Sequence, residues 1–381
     1  MKRVFLIVLD SFGLGEMPDA NLFGDKDCNT LKRISLSEKF SMENLIELGF
    51  GNIDGVDLPK KVNHKSILAR LSEASMGKDT TIGHWEIAGI ESKKPFPTYP
   101  NGFPEALLSE FSKRIKRDII CNKPYSGTKV IEDYGAIQRE TGALIVYTSA
   151  DSVFQIAADE DIIPLEELYR YCLIARELLK GEHSVGRVIA RPYVYRNGKY
   201  MRTANRKDFS LKPTKKTVLD AIKEEKMDVI SVGKINDIFA SCGITHSIPS
   251  HSNKEGMEIS LGLLNKDFKG LAFINLVDFD MLYGHRQDID GYAKAISEFD
   301  EWLPSFIKDM KDDDILIITA DHGCDPGDSS TDHTREYTPL IIYGNNIKSK
   351  NCGTLKGFYN IAATISDYLQ VPYECDGKSL I

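Results

Sequence analysis

A chain of 381 residues, 42% hydrophobic and 27% charged, has the composition of an ordinary globular protein and is long enough for two domains. Its formal net charge of −8 argues against nucleic acid as the main partner, because phosphate backbones are held by clustered positive charge. No run approaches the roughly 18 apolar residues that span a bilayer, and the seven scattered cysteines fit reduced thiols better than a disulfide framework, so the expectation is a cytoplasmic protein without a membrane partner.

The first predicted strand, residues 4–9, runs into Asp10 and is too short for the apolar region of an export signal. Gly13-Leu14-Gly15 lacks the third glycine of a dinucleotide fingerprint, with Pro18 in its place. The next notable segment is Gly77-Lys78-Asp79-Thr80-Thr81-Ile82-Gly83-His84-Trp85-Glu86. It is not a P-loop, because Asp79 follows the lysine where Ser or Thr is required and Ser72 stands in the place of the first glycine. A hydroxyl beside divalent cations is suited to attack phosphorus, and both Thr80 and Thr81 qualify. The same spacing equally suits a helix N-cap at Asp79 or Thr80.

Pro95, Pro97, Pro100 and Pro104 crowd the following stretch, and Leu211-Lys212-Pro213-Thr214 precedes a fresh helix-then-strand unit. This predicts a discontinuous core, 1–94 plus 214–381, with a domain of residues 95–213 inserted between its halves; an insertion at the ligand edge would make a lid. Inside it a strand is expected near 144–149, and Lys113, Arg114, Lys116 and Arg117 read as a solvated helix face. Beyond it, strands are expected near 229–232, 271–277, 315–320 and 339–343. Between the second and third of these strands, Ile289, Tyr292, Ala293, Ile296, Phe299, Leu303, Phe306 and Ile307 repeat on one helical face. Strand, helix, strand implies parallel neighbours joined by a right-handed crossover.

Three apolar runs end in chemistry. The first delivers Asp10, another delivers Asp278, Asp280 and His285, and the run ending at Ala320 delivers Asp321 and His322, followed eleven residues later by His333. Open α/β sheets place functional groups at such strand ends. Asp10, Asp280, His285, Asp321, His322 and His333 are candidate ligands, enough for two metal ions with three protein ligands each. Mixed carboxylate and imidazole ligation suits Mn²⁺ or Zn²⁺, and no Cys-x-x-Cys pair suggests a structural zinc. The acidic net charge does not exclude a phosphorylated substrate, since divalent cations invert the local sign.

Taken together, Val-Leu-Asp-Ser-Phe-Gly around Asp10, Gly-Lys-Asp-Thr at 77–80 with Gly-His-Trp-Glu at 83–86, Asp-Phe-Asp-Met-Leu-Tyr-Gly-His-Arg at 278–286, Asp321 to Cys324 and Asp-His-Thr-Arg-Glu at 332–336 resemble the prokaryotic phosphopentomutases. The likeness spans essentially the whole chain. It implies an α/β fold of the alkaline phosphatase superfamily, a doubly wound, mostly parallel sheet core with an inserted α+β cap. It further implies an isomerase-class phosphotransferase that interconverts ribose 5-phosphate and ribose 1-phosphate, and the 2-deoxyribose equivalents, through a phosphothreonine and a 1,5-bisphosphate. By the resemblance Thr80 is the phosphorylated residue, and Ile82 stands where relatives carry a second threonine. Asp10, Asp321 and His322 would hold one Mn²⁺, and Asp280, His285 and His333 the other, with a sugar bisphosphate such as glucose 1,6-bisphosphate as priming donor. The segments Ser149-Ala150-Asp151-Ser152-Val153 and Gly186-Arg187-Val188-Ile189-Ala190-Arg191-Pro192 match parts that face the sugar phosphate, through Ser149, Asp151, Val153, Arg187 and Ile189, and Lys234 matches a phosphate-facing lysine. Without the resemblance, Arg187 and Lys234 read as solvated surface residues.

The nearest rival is a metal-dependent phosphatase or phosphodiesterase on the same core. The Lys-Asp-Thr context disfavours a serine-dependent phosphoglycerate mutase, and no Cys-x-Pro-x-Arg-like setting supports a sulfatase. A structural metal site in a binding protein would not turn over pentose phosphates.

Overall fold

The first apolar run becomes strand β1 (Arg3–Leu9), buried at every residue and placed inside an eight-stranded sheet rather than at its edge. The computed structural model that defines this arrangement describes residues 1–149 and 151–381. The further strands, in chain order, are β2 (Ser66–Ser72), β3 (Ile119–Pro124), β4 (Leu144–Thr148), β5 (Val153–Asp159), β6 (Arg187–Arg196), β7 (Lys199–Arg202), β8 (Lys207–Ser210), β9 (Asp228–Val232), β10 (His246–Ile248), β11 (Gly270–Leu276), β12 (Asp314–Thr319), β13 (Thr338–Tyr343) and β14 (Lys350–Lys356). The described residues form two compact units, Met1–Pro95 with Pro213–Ile381, and Phe96–Lys212.

The sheet of the first unit runs β10-β9-β11-β1-β12-β13-β2-β14. All of its pairings are parallel except those of β13, which is antiparallel to both β12 and β2. Every residue of β11 and β12 is buried, as it is in β1, which is what a parallel sheet covered on both faces requires. Phe5, Ile7 and Leu9 pack in one apolar cluster with Leu276, Tyr292, Phe299, Leu303 and Phe306, so the helix Ile289–Lys308 buries the stripe that its spacing announces.

The expected neighbourhood of β11 and β12 is corrected by the structure. They are parallel, but β1 lies between them and pairs with both. A strand with no polar residue between Val4 and Leu9 is best satisfied where both edges are hydrogen-bonded and both faces covered. The 20-residue helix is long enough, at about 1.5 Å per residue, to cross an intervening strand. Among the described residues no helix is long and apolar enough to cross a membrane.

Arg3 opens β1 as a fully buried cation. Its Nε and Nη2 donate to Asp314 Oδ1 and Oδ2 at 2.8 and 2.6 Å, and its Nη1 donates to the carbonyls of Leu264 and Lys266 at 2.9 and 2.8 Å. Arg3→Ala would leave Asp314 buried without its counter-ion. A loss of about 3–5 kcal/mol is expected, read as a lower urea midpoint for the first unit at unchanged slope.

The second unit is a mixed sheet, β3-β4-β5-β6-β7 with β8 also paired to β6. Phe154, Ile156, Val188 and Ala190 pack into one apolar cluster with the helices Glu105–Ile115 and Leu165–Leu178, whereas Ala157 and Tyr193 pack with Val130 and Ile131 of the helix Lys129–Thr141. Arg117 departs from the solvated face expected of its cluster. The helix ends before it at Ile115, and its guanidinium donates to Tyr171 Oη at 2.8 Å and to the Gly142 carbonyl at 3.0 Å, tying the helix end to its neighbours.

Candidate metal centre

Parallel register decides which side chains meet. Leu9 pairs with Leu276, and Val8 with Thr319, so Asp10, the segment 277–280 and the segment 320–322 leave the sheet at the same edge. Asp280 and His285 are delivered there by one turn of π-helix, Phe279–Gly284, a geometry often found at functional sites. His333 comes from the loop between β12 and β13, which is anchored by its neighbours. The Arg335 guanidinium donates to Glu73 at 2.6 Å and to Asp19 at 3.0 Å, and Glu336 accepts from Thr30 Oγ1 and the Gly15 amide at 2.8 and 2.9 Å.

Asp10, Asp321 and His322 are fully buried, and their ligand atoms lie within 4.8 Å of one another. His322 Nε2 is 3.2 Å from Asp321 Oδ2, 3.5 Å from Asp10 Oδ1 and 3.1 Å from Thr80 Oγ1. Its Nδ1 donates to the Gly323 carbonyl at 3.0 Å, which leaves the Nε2 lone pair available to a cation. Beside this group, Asp280 Oδ2 is 3.4 Å from His285 Nε2 and Asp280 Oδ1 is 3.3 Å from His333 Nε2. His285 Nδ1 donates to the Thr331 carbonyl at 2.6 Å, so its Nε2 lone pair faces His333 Nε2 at 3.1 Å.

The residues fit divalent cations on this structure's own terms. Asp10 Oδ1, Asp280 Oδ1 and Asp321 Oδ2 are buried without a hydrogen bond, although a buried carboxylate oxygen is costly unless something positive meets it. Two imidazole nitrogens brought to 3.1 Å also call for a shared cation or proton. Protein charges alone leave the cluster strongly perturbed. Burial and the adjacent Asp321 push Asp10 up to about 7. Burial opposes ionisation of Asp321 as well, but His322 and His84 hold it well below the carboxylate range. Despite its burial, His322 is raised to about 10 by Asp321, and His285 is raised to about 12, first by its hydrogen bond to Asp280.

Thr80 is the first residue of the helix Thr80–Ile87. Asp79 is the N-cap, accepting from the amides of Thr81 and Ile82 at 3.0 and 3.2 Å, so capping leaves the Thr80 hydroxyl turned toward His322. Gly83 admits no side chain, because a Cβ there would stand 2.2 Å from the Asp321 carbonyl. Two residues not foreseen from the sequence support the carboxylates. Buried His84 donates from Nδ1 to the Thr80 carbonyl at 2.8 Å and lies 3.1 Å from Asp321 Oδ2; its Nε2 is 3.3 Å from Asn275 Nδ2, which also donates to Asp10 Oδ2 at 3.1 Å. The available signals were the histidine of Gly-His-Trp and the one amide interrupting the apolar run 271–277.

Lys234 reaches the same edge, with Nζ 3.8 Å from Asp10 Oδ2. Ser149, Asp151, Val153, Arg187 and Ile189 belong to the second unit, and Ala150 lies outside the described residues. Val153 pairs in register with Arg187, and Ile189 with Gln155. Val153 and Ile189 are buried side chains, whereas Arg187 is half-exposed beside Asp208 at 3.5 Å. Arg206 engages both oxygens of that same carboxylate at 2.8 Å, so Arg187 is the less committed partner.

Known proteins resemble this chain over its whole length. The sequence profile of the Metalloenzyme superfamily matches residues 2–373. The phosphopentomutase of Lachnoclostridium phytofermentans is 59% identical over 384 residues, covering 100% of this chain and 98% of the relative. The phosphopentomutase of Caldanaerobacter subterraneus subsp. tengcongensis is 53% identical (97% and 95% covered), and that of Acetivibrio thermocellus 52% (100% and 99%). The fold is shared with the PH0037 protein from Pyrococcus horikoshii, at TM-score 0.51, 12% identity and 98% of both chains covered. Leishmania mexicana phosphoglycerate mutase, solved at low cobalt concentration, also has TM-score 0.51 and 12% identity, covering 100% of this chain and 97% of that one. With full-length relatives above half identity and the superfamily profile spanning nearly every residue, the chain belongs to the phosphopentomutase family of the alkaline phosphatase-type metalloenzymes.

Proposed function

We propose that the protein interconverts ribose 5-phosphate and ribose 1-phosphate, and their 2-deoxy counterparts, through phosphorylated Thr80. The observation that carries this reading is the Thr80 hydroxyl 3.1 Å from His322 Nε2, at the rim of a buried Asp and His cluster. Asp10, Asp321 and His322 would hold one divalent cation, and Asp280, His285 and His333 a second, with Mn²⁺ the expected metal. When bound, these ions supply positive charge to the transferring phosphoryl group and lower the pKa of the attacking hydroxyl.

The chain's own residues do the rest. The helix N-terminus beneath Thr80 favours the negative charge of a phosphate placed there. His84 and Asn275 hold Asp321 and Asp10 in orientation. Lys234 offers a further cation at the same edge. Phospho-Thr80 gives its phosphoryl group to the C1 hydroxyl of a bound 5-phosphate, forming a 1,5-bisphosphate, and the 5-phosphoryl group then returns to the Thr80 oxygen, leaving the 1-phosphate. Ser149, Asp151, Val153, Arg187 and Ile189 are assigned to the sugar phosphate, the buried Val153 and Ile189 through their backbones.

The test is phosphorus NMR of ribose 5-phosphate incubated with the Mn²⁺-loaded protein and glucose 1,6-bisphosphate. Ribose 1-phosphate should accumulate to equilibrium with little inorganic phosphate. Inorganic phosphate as the sole product would replace the mutase reading with a phosphatase. In the same assay Arg187→Ala should raise KM for ribose 5-phosphate and lower kcat/KM roughly 10- to 100-fold, the scale of one charged contact to phosphate. It should also raise the ratio of inorganic phosphate to isomer. Wild-type KM and product ratio in that variant would remove Arg187 from the substrate contacts.

A further inference from the structure

Asp280 belongs to two ligand groups at once, one with His322 and His333 and one with His285 and Cys324, and His285 Nε2 also lies 3.1 Å from His333 Nε2. In the second group the ligand atoms lie within 4.8 Å of one another, in a triad of two buried residues and one half-buried one. Cys324 is 1% exposed, and its thiol donates to the Asp332 carbonyl at 3.6 Å and interacts with the His285 imidazole. The position is built to admit it. A Cβ on Gly284, the last residue of the π-helical turn, would stand 2.9 Å from Cys324 Sγ and 3.0 Å from its Cβ, so the turn carries glycine where the thiol comes close. Asp280 meets His285 Nε2 through Oδ2 at 3.4 Å, while its Oδ1, buried without a hydrogen bond, lies 3.3 Å from His333 Nε2.

Such a donor set differs in kind from the carboxylate and imidazole groups beside it. Oxygen and nitrogen donors suit Mn²⁺, whereas a thiolate with imidazole and carboxylate favours Zn²⁺, which also lies above Mn²⁺ in intrinsic affinity. We infer that Asp280, His285 and Cys324 form an alternative site that captures Zn²⁺ or another thiophilic divalent cation in competition with Mn²⁺ held through His333. On capture the Sγ–H proton leaves to solvent as the sulfur-to-metal bond forms, with no change of oxidation state. Three protein ligands leave a fourth tetrahedral position open. Metal identity would thus select between His333 and Cys324 around a shared Asp280 and His285. The inference rests on the reading of Asp280 and His285 as metal ligands, and on nothing about Thr80 or the sugar.

The experiment is titration of the chelator-stripped full-length protein with Co²⁺, a visible surrogate for Zn²⁺. Wild type should develop a thiolate-to-cobalt charge-transfer band that Zn²⁺ abolishes and excess Mn²⁺ displaces poorly. Cys324→Ser should lose the band, and with it the preference for Zn²⁺ over Mn²⁺, while still binding Mn²⁺ by electron paramagnetic resonance. Cys324→Ala, checked by circular dichroism, serves if the serine variant does not fold. Mn²⁺ binding without a charge-transfer band in wild type would overturn the inference and leave the metal reading of Asp280 and His285 standing. A band that survives in both variants would move the thiolate to another cysteine and overturn it equally. Failure of wild type to bind either ion would overturn both.

Discussion

Thr80→Ala is expected to abolish the phosphoenzyme and to lower isomer formation on the order of 10⁴-fold or more, the scale seen when a covalent nucleophile is deleted. The fold should persist, because the helix Thr80–Ile87 is capped by Asp79 and not by Thr80. Thr81→Ala is the matched control, since its hydroxyl belongs to a residue 7% exposed whereas Thr80 Oγ1 meets His322. Intact mass after incubation with glucose 1,6-bisphosphate should show one phosphate adduct in wild type and Thr81→Ala and none in Thr80→Ala. Thr80→Ser should keep a measurable adduct by retaining the hydroxyl. An adduct mapped to Thr81 would reassign the nucleophile.

Comparable losses are expected from the metal ligands. Asp280→Ala removes the carboxylate that both His285 and His333 approach, and His333→Ala removes one of those imidazoles. Each should lose one of the two ions by elemental analysis, and activity with it, with near-native circular dichroism because the wholly buried strands β11 and β12 do not depend on these side chains. Full activity with both ions bound in either variant would remove the assignment. Metal affinity should also fall as pH is lowered. His285 and His322 hold protons more tightly than an ordinary histidine because of Asp280 and Asp321, so protons compete with cations there even above neutral pH.

The ends of the apolar strands could be read from the sequence because a carboxylate or imidazole directly after five or six apolar residues is a local signal. Asp10, Asp321 and His322 are of this kind, and Asp280 follows two residues behind Asp278, the first carboxylate after its run. Strand order was less legible. Nothing near Val4 says that it pairs with both Leu271 and Ile315, since that choice depends on which strands satisfy both of its edges. For the same reason the helix between β11 and β12 and the strand β1 were each found from the sequence, while the helix's passage over β1 was not. The antiparallel strand β13 carries no local mark of its direction. His84 and Asn275 escaped because a buried polar side chain declares its partners only after folding. Thr80 was separable from Thr81 by resemblance alone; their spacing suits capping and catalysis alike.

The interior position of β1 also sets an order of events in synthesis. Its partners on either side, β11 and β12, begin at Gly270 and Asp314, so an apolar strand made among the first residues has no edge to pair with until some 270 residues later. At about 5–20 residues per second on the ribosome, that interval is on the order of 10–50 s. Meanwhile the unit Phe96–Lys212, whose strands pair only among themselves, can emerge and fold whole. The nascent chain therefore carries a finished domain tethered to a waiting, aggregation-prone strand. Slowing translation after residue 213 should lengthen that exposure, and holdase chaperones should be found on the N-terminal segment rather than on the inserted unit.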